Sequence, residues 1–299
     1  MQIATWNVNS IRVRLPQVLE WLEGASPDVI GLQEIKLVTE EFPTEAFQEI
    51  GYHVVANGQK TYNGVALLSK TPATDIITDM PGLDDPQRRV VAATVSGVRI
   101  INLYVPNGQA LDSDKFVYKM GWLKALHAWL DKELRTHEKL VVMGDFNIAP
   151  EDRDVHDPAA WEGSVHVSPI EREALQGLEG LGLSDSFRLF DQPEASYSWW
   201  DYRRGAFRRN AGLRIDLVLA SKALAETCTG CATDVEPRSW ERPSDHAPVV
   251  ATFENEPGNA NLFLESFPDG LHFLLETEHS PDAAAPHEDL IRVPDFRLR

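Results

Sequence analysis

Short apolar runs, each closed by a polar residue, recur along almost the whole chain. Ile3-Ala4-Thr5-Trp6 runs into Asn7, Val29-Ile30-Gly31-Leu32-Gln33 into Glu34, and Leu140-Val141-Val142-Met143-Gly144 into Asp145 and Asn147. Asp216 interrupts Leu213-Arg214-Ile215-Asp216-Leu217-Val218-Leu219, and Asp245-His246 immediately precede Ala247-Pro248-Val249-Val250-Ala251. Short β-branched runs of this kind predict strands. A buried strand has no structural use for a carboxylate at its rim, so the recurrence implies strand ends converging on one acidic site.

Helical patterns alternate with these strands. Leu15, Val18, Leu19 and Leu22 trace one helix face, with Pro16 in the first turn, where its missing N–H is harmless. Phe116, Leu123, Leu126 and Leu130 line a long helix predicted over residues 112–136. Ser168-Pro169-Ile170-Glu171 has the spacing of a capping box. Val90–Val95 and residues 98–105, joined by Ser96-Gly97, predict a hairpin. Hairpins mixed with helices predict an α/β (α+β) fold of antiparallel or mixed sheets covered by helices, not a parallel wound sheet.

Composition changes at Glu256-Pro257-Gly258-Asn259, which divides the chain into residues 1–256 and an acidic extension, 257–299. In the extension, residues 262–264 are apolar and 271–275 apolar but for His272, and they flank Pro268-Asp269-Gly270, a predicted hairpin turn; residues 280–287 read as an Ala/Pro-rich linker. Eight acids against three arginines after Pro257 would repel a polyanion. The apolar pieces are expected to pack on the main domain or to mediate protein contacts.

The 299 residues are 43% hydrophobic and 25% charged, as in a globular protein with a sizeable core. No apolar run approaches the roughly 20 residues that span a bilayer, and the N-terminus lacks a basic leader. A cytoplasmic protein with no membrane contact is expected. Cys228 and Cys231 are the only cysteines. Without a second pair to complete a zinc site, they read as reduced thiols near a helix end. The net charge of −18 argues against indiscriminate binding of polyanions. Yet Arg203, Arg204, Arg208, Arg209 and Arg214 follow directly on Tyr197, Trp199, Trp200 and Tyr202. Stacking faces beside phosphate-binding cations predict a nucleic-acid surface.

The polar residues at the strand ends suit the cleavage of phosphate esters. Glu34, Asp145 and Asp245 offer hard oxygen ligands, and Asn7, Asn9 and Asn147 add neutral amides; such a set suits Mg²⁺ or Mn²⁺. His246 is the sole histidine of the constellation, and Asp216 is the carboxylate placed to orient it.

Seven segments carry a resemblance: Trp6-Asn7-Val8-Asn9-Ser10, Leu32-Gln33-Glu34-Ile35-Lys36, Tyr62-Asn63-Gly64-Val65-Ala66, Tyr104-Val105-Pro106-Asn107-Gly108, Gly144-Asp145-Phe146-Asn147, Leu213-Arg214-Ile215-Asp216 and Ser244-Asp245-His246-Ala247-Pro248. In this order, over roughly residues 1–254, the chain resembles the exodeoxyribonuclease III family of abasic-site endonucleases. The resemblance implies a four-layered sandwich with the site at one edge and a Mg²⁺ cofactor, replaceable by Mn²⁺. It implies a partner in double-stranded DNA carrying abasic sites or blocked 3′ ends, cut 5′ to the abasic site, and a monomeric protein. Glu34 would hold the metal with Asn7 or Asn9 and Asp245. Asp145 would deprotonate the attacking water or, alternatively, protonate the leaving group. Asn147 would bond the phosphate oxygen, His246 would polarise the phosphate, and Tyr104 would contact the phosphate or the leaving oxygen. Trp199, Leu213 and Ile215 would line a pocket for a sugar without its base. Lys36, Asn63, Asn107, Arg203 and Arg204 would contact DNA. Asn9 stands where some relatives carry Asp, which leaves the ligand count open. Two other readings use the same residues: a phosphatase or phospholipase of the superfamily, or an inactive binding protein. The aromatic and basic window opposes the first, and the intact constellation opposes the second.

Overall fold

Alternate residues along each strand face opposite ways, and here both faces are apolar. The structure, a computed structural model, describes residues 1–254; the predicted hairpin and linker of the extension lie outside the described residues. The strands in chain order are β1 Gln2–Asn7, β2 Val29–Gln33, β3 His53–Asn57, β4 Val65–Ser69, β5 Thr74–Ile77, β6 Val90–Val95, β7 Val98–Tyr104, β8 Leu140–Asp145, β9 Leu183–Asp185, β10 Trp199–Trp200, β11 Gly212–Leu213, β12 Asp216–Ser221, β13 Cys228–Thr233 and β14 Val249–Phe253. The helices are α1 Ile11–Ala25, α2 Thr44–Glu49, α3 Asp114–Thr136, α4 Pro158–Trp161, α5 Pro169–Glu179 and α6 Lys222–Ala225.

One six-stranded sheet has the order β13-β14-β1-β2-β4-β3, the other β5-β6-β7-β8-β12-β9. Each holds one parallel pair, β1–β2 or β7–β8, among antiparallel neighbours. A parallel pair needs a crossover, and α1 and α3 supply the two. Ile3, Val29 and Leu67 from one sheet meet Ile100, Val141 and Val218 from the other in a central core. The opposite face of the first sheet, Ala4, Trp6, Ile30 and Leu32, packs on Val18, Trp21 and Leu22 of α1. The opposite face of the second, Ile101, Val142 and Leu219, packs on Trp122, Leu126 and Leu130 of α3 and Leu175 of α5. Helix, sheet, sheet and helix make the expected four-layered sandwich.

Asn102 joins the sheets through the middle of the central core. Its Nδ2 donates to the main-chain oxygens of Leu32 (3.0 Å) and Ala66 (2.9 Å), and its Oδ1 accepts from Gln33 (2.7 Å). A side chain at Gly31 would come within 2.6 Å of Asn102, so glycine is needed for this approach.

Local predictions hold with one adjustment. The β6–β7 turn has both central residues, Ser96 (φ 49°) and Gly97 (φ 80°), in the left-handed region, as a tight hairpin requires. Ser113 caps α3, and Ser168 with Glu171 forms a reciprocal capping box on α5. Helix α1, however, starts at Ile11, so Pro16 lies inside it rather than in its first turn. Arg12, whose carbonyl loses a donor, and Pro16 both lie on the exposed side of the helix. Cys228 and Cys231 are free thiols on β13, which begins three residues after the end of α6, as expected of thiols near a helix end.

Candidate active site

Strand pairing alone brings the acidic residues together. Asp145 at the end of β8 is in register with Tyr104 of β7 on one side and Asp216 of β12 on the other. Asn7 ends β1 beside Gln33, the residue before Glu34. The two sheets face each other, so both sets of strand ends meet at one rim. Asn7 spans the gap: its Nδ2 donates to Glu34 Oε1 (2.8 Å) and Asp145 Oδ2 (2.9 Å).

Backbone geometry aims these side chains. Glu34 (φ 51°) and Asn147 (φ 50°) both adopt left-handed conformations, which asparagine tolerates and glutamate rarely does. Main-chain bonds hold the Glu34 turn, from Ser10 N–H to Glu34 O (2.7 Å) and from Ile35 N–H to Gly64 O (3.2 Å). Gly144 (φ 146°) precedes Asp145 where a Cβ would lie 1.9 Å from the oxygen of Leu103.

Asp216 and His246 form a buried pair, with Oδ2 2.8 Å from Nδ1. Ser198 Oγ donates to the same Asp216 oxygen (2.7 Å) and accepts from the N–H of Ile215 and of Asp216. His246 Nε2 then faces Asp145 Oδ2 at 3.6 Å. Burial opposes charge on the imidazole, but the Asp216 and Asp145 carboxylates outweigh it and hold His246 up at about 10. Burial, with Asp216 and Glu34 adding repulsion, raises Asp145 to about 7 despite the counteracting His246. Burial and the carboxylates of Glu34 and Asp145 keep the Tyr104 phenol protonated.

Glu34, Asp145 and His246 each offer a ligand atom within 4.8 Å of the others. Two carboxylates driven together suit a hard divalent cation, which would relieve the repulsion that raises Asp145. Asn147 donates through Nδ2 to Val105 O (2.9 Å), and its N–H is held by Asp145 Oδ1 (2.9 Å). Asp245 lies outside this group of three: Asn9 Nδ2 donates to its Oδ1 (3.1 Å) and Trp199 Nε1 to its Oδ2 (2.9 Å).

The expected DNA contacts divide. Lys36 enters the cluster itself, with Nζ 3.1 Å from Glu34 Oε2. Asn107 Nδ2 is 3.5 Å from Asn147 Oδ1, and Asn63 bonds to Gln59. Arg203 and Arg204 are exposed, but the Arg203 guanidinium is paired with Asp201. Arg214 does not belong to the basic surface: it is 1% exposed and bridges Asp154 and Asp185, each at 2.7 Å. Tyr197 and Trp200 are buried too, leaving Tyr202 as the exposed aromatic of that window and Trp199 half-buried. Leu213 and Ile215 are buried beneath Trp199 and Trp161, so they form the floor of the apolar patch and the tryptophans its accessible rim.

Several residues of the site went unread in the sequence. His166 hangs its Nδ1 on Asn147 O (2.6 Å) and lies near Asn107 and Trp161. Lys119 is fully buried behind Asn147. Ser198, Trp161 and Arg89 complete the set. Arg89 directly precedes the apolar run Val90–Val95 but carries no acidic or amide group to join the pattern, and the others close no apolar run.

A rim of acids, amides and a carboxylate-held imidazole between two packed mixed sheets defines a phosphoesterase. The chain belongs to the endonuclease/exonuclease/phosphatase family, whose model matches residues 4–246. Within it the likeness is to the exodeoxyribonuclease III type. Exodeoxyribonuclease III of Haemophilus influenzae is 38% identical over 85% of this chain and 100% of its own length. A 3′ phosphatase from Neisseria, solved with a product DNA hairpin, is 52% identical with a TM-score of 0.84, over 85% of this chain and 99% of that one. An AP endonuclease from Archaeoglobus fulgidus is 40% identical with a TM-score of 0.83, over 85% of this chain and 100% of that one.

Proposed function

We propose that this chain is a Mg²⁺-dependent DNA-repair nuclease that cuts the phosphodiester 5′ to abasic sites and clears nucleotides and blocking groups from 3′ ends. The approach of Asp145 to His246, with Asp216 behind the imidazole and Asn7 bridging to Glu34, carries the reading. It places the Asp145 carboxylate between the imidazole on one side and the Asn7–Glu34 pair on the other.

Glu34 and Asp145 would hold the metal, with Asn7 keeping both carboxylates in place; bound there, it would neutralise charge on the phosphate. The His246 imidazolium binds a phosphate oxygen, fixed in tautomer and direction by Asp216. Asp145, 3.6 Å from the His246 imidazole, takes the proton of the attacking water. The Asn147 amide turns toward the oxygen on which charge grows, and the Tyr104 phenol donates to the phosphate or to the departing oxygen. A nucleotide without a base rotates out of the duplex at little stacking cost, and its bare sugar fits the rim of Trp199 and Trp161. Residues Arg203 and Arg204 grip the backbone, and the protein acts as a cytoplasmic monomer. Among the described residues no helix is long and apolar enough to cross a membrane.

The test uses two labelled duplexes, one with a single abasic analogue and one with a 3′-phosphate, each with Mg²⁺ and with EDTA. Both are expected to be processed only with metal, and Glu34→Gln is expected to cut turnover at least about a hundredfold with DNA binding retained. Cleavage that persists in EDTA, or near-normal turnover in Glu34→Gln, would remove the metal assignment. Failure on both duplexes would remove the nuclease reading.

A further inference from the structure

Glu34 and Lys36 leave one tight turn towards the same rim. Both lie in the left-handed region, φ 51° and 57°, with buried Ile35 between them, and the Lys36 N–H bonds Asn63 O (3.0 Å). Glutamate and lysine rarely adopt that conformation, and a fold keeps such strain where the side chains are needed. The turn brings the Lys36 ammonium onto Glu34, 3.1 Å from Oε2, with both side chains partly buried. Nζ also donates to Asn9 Oδ1 (2.5 Å). Asn9 is fixed from its other end. Its Nδ2 donates to Asp245 Oδ1 (3.1 Å) and to the Tyr202 hydroxyl (3.3 Å), so its oxygen has to face the ammonium.

Glu34 therefore has two working sides. Oε1 accepts from Asn7, which reaches on to Asp145, and this side belongs to the group of Glu34, Asp145 and His246. Oε2 faces Lys36, Asn9 and, behind them, Asp245. Phosphodiester cleavage is often run by two ions about 3.5–4 Å apart, and a carboxylate open on both oxygens is a group that two ions could share. We propose that the Lys36 ammonium is the second cation of this site. It stands between Glu34 and Asn9, where a second divalent ion would sit, and holds the protein to one metal. A neutral amide at position 9 matches a single positive charge: it accepts from the ammonium without adding the anionic oxygen that a divalent ion favours. The inference rests on the nuclease reading for the metal on Glu34 and Asp145, and adds to it the number of ions the site takes.

The experiment is titration of the full chain with Mn²⁺ in the absence of DNA, followed by electron paramagnetic resonance. Two Mn²⁺ sharing Glu34 give the spin-coupled signal of a close pair, whereas ions scattered on the acidic surface do not. The unaltered protein is expected to show no coupled pair. Asn9→Asp is expected to show none either, because its new carboxylate pairs with the ammonium. Lys36→Met/Asn9→Asp is expected to show the pair, at Mn²⁺ concentrations at least about tenfold below any at which Asn9→Asp shows it, since the repelling charge is gone. A coupled pair in the unaltered protein, equal pairing in Asn9→Asp and the double variant, or no pair in the double variant would each overturn the proposal. Glu34→Gln separates this from the underlying reading, and is expected to weaken binding of the single Mn²⁺ at least about tenfold. Unchanged binding there would sink the metal assignment itself, whereas weakened binding beside any of the three overturning results would sink the role of Lys36 alone.

Discussion

Lys119, from a side chain with no exposure to solvent, donates its Nζ to the main-chain oxygen of Asn147 at 2.7 Å. The same ammonium reaches Asn107 O (3.1 Å) and pairs with the buried carboxylate of Glu171. Glu171 in turn accepts from the N–H of His166 (3.0 Å) and caps α5 through Ser168. One buried ion pair thus ties the loop after β7, the loop after β8 and the start of α5 behind the active site.

Removing one partner of that pair leaves the other charged, buried and alone. Lys119→Met is therefore expected to lower stability by about 3–5 kcal/mol and to reduce turnover by loosening Asn147. Urea melts measure the first effect and single-turnover cleavage the second. A loss near zero would mean that the three loops are held without this ammonium.

Asp216 and His246 are expected to act as a unit, because the carboxylate has no other route to the substrate. Each single Ala variant should lose at least about a hundredfold in turnover, and the double variant hardly more than the worse single. Multiplicative losses in the cycle would show that the two residues work independently.

Burial, with the charge of Lys119 adding to it, pushes His166 down to about 4. The unfolded chain binds a proton near 6.5 that the folded protein accepts only at lower pH. Stability from this group is then complete above about pH 6.5 and is lost as pH falls from there towards 4. His166→Asn is expected to remove that part of the acid-side decline in melting temperature. If both proteins show identical melting temperatures at every pH from 7 to 4.5, His166 is not a proton-linked site.

Arg203, Arg204 and Arg208 are exposed, and Arg203 is engaged by Asp201. Replacing all three with Ala is expected to weaken duplex binding and to flatten the slope of log affinity against log salt by about two, less than the full three-charge value. An unchanged slope would return this window to a solvated loop.

Much of the site was legible along the chain because its members end strands. Asn7, Glu34, Asp145, Asp216 and His246 all open, interrupt or close apolar runs, and strand registers such as Tyr104↔Asp145 and Asp216↔Asp145 carry several of them to one rim. The capping box at Ser168 and the turn at Ser96-Gly97 were equally readable, since their causes lie within four residues. The basic window was read too generously. Arg214, Tyr197 and Trp200 have the right composition for a nucleic-acid surface, yet they are buried.

Local sequence determined the strands, the caps and the chemical character of the rim, because each depends on neighbours a few residues away. Tertiary structure alone decided which charges are exposed and which are paired across the fold. Arg214 meets Asp154 and Asp185 from distant segments, and Lys119 meets Glu171. It also decided that Asn7, not Asp245, would touch both Glu34 and Asp145, since the bond to Asp145 forms only when two separate sheets pack face to face.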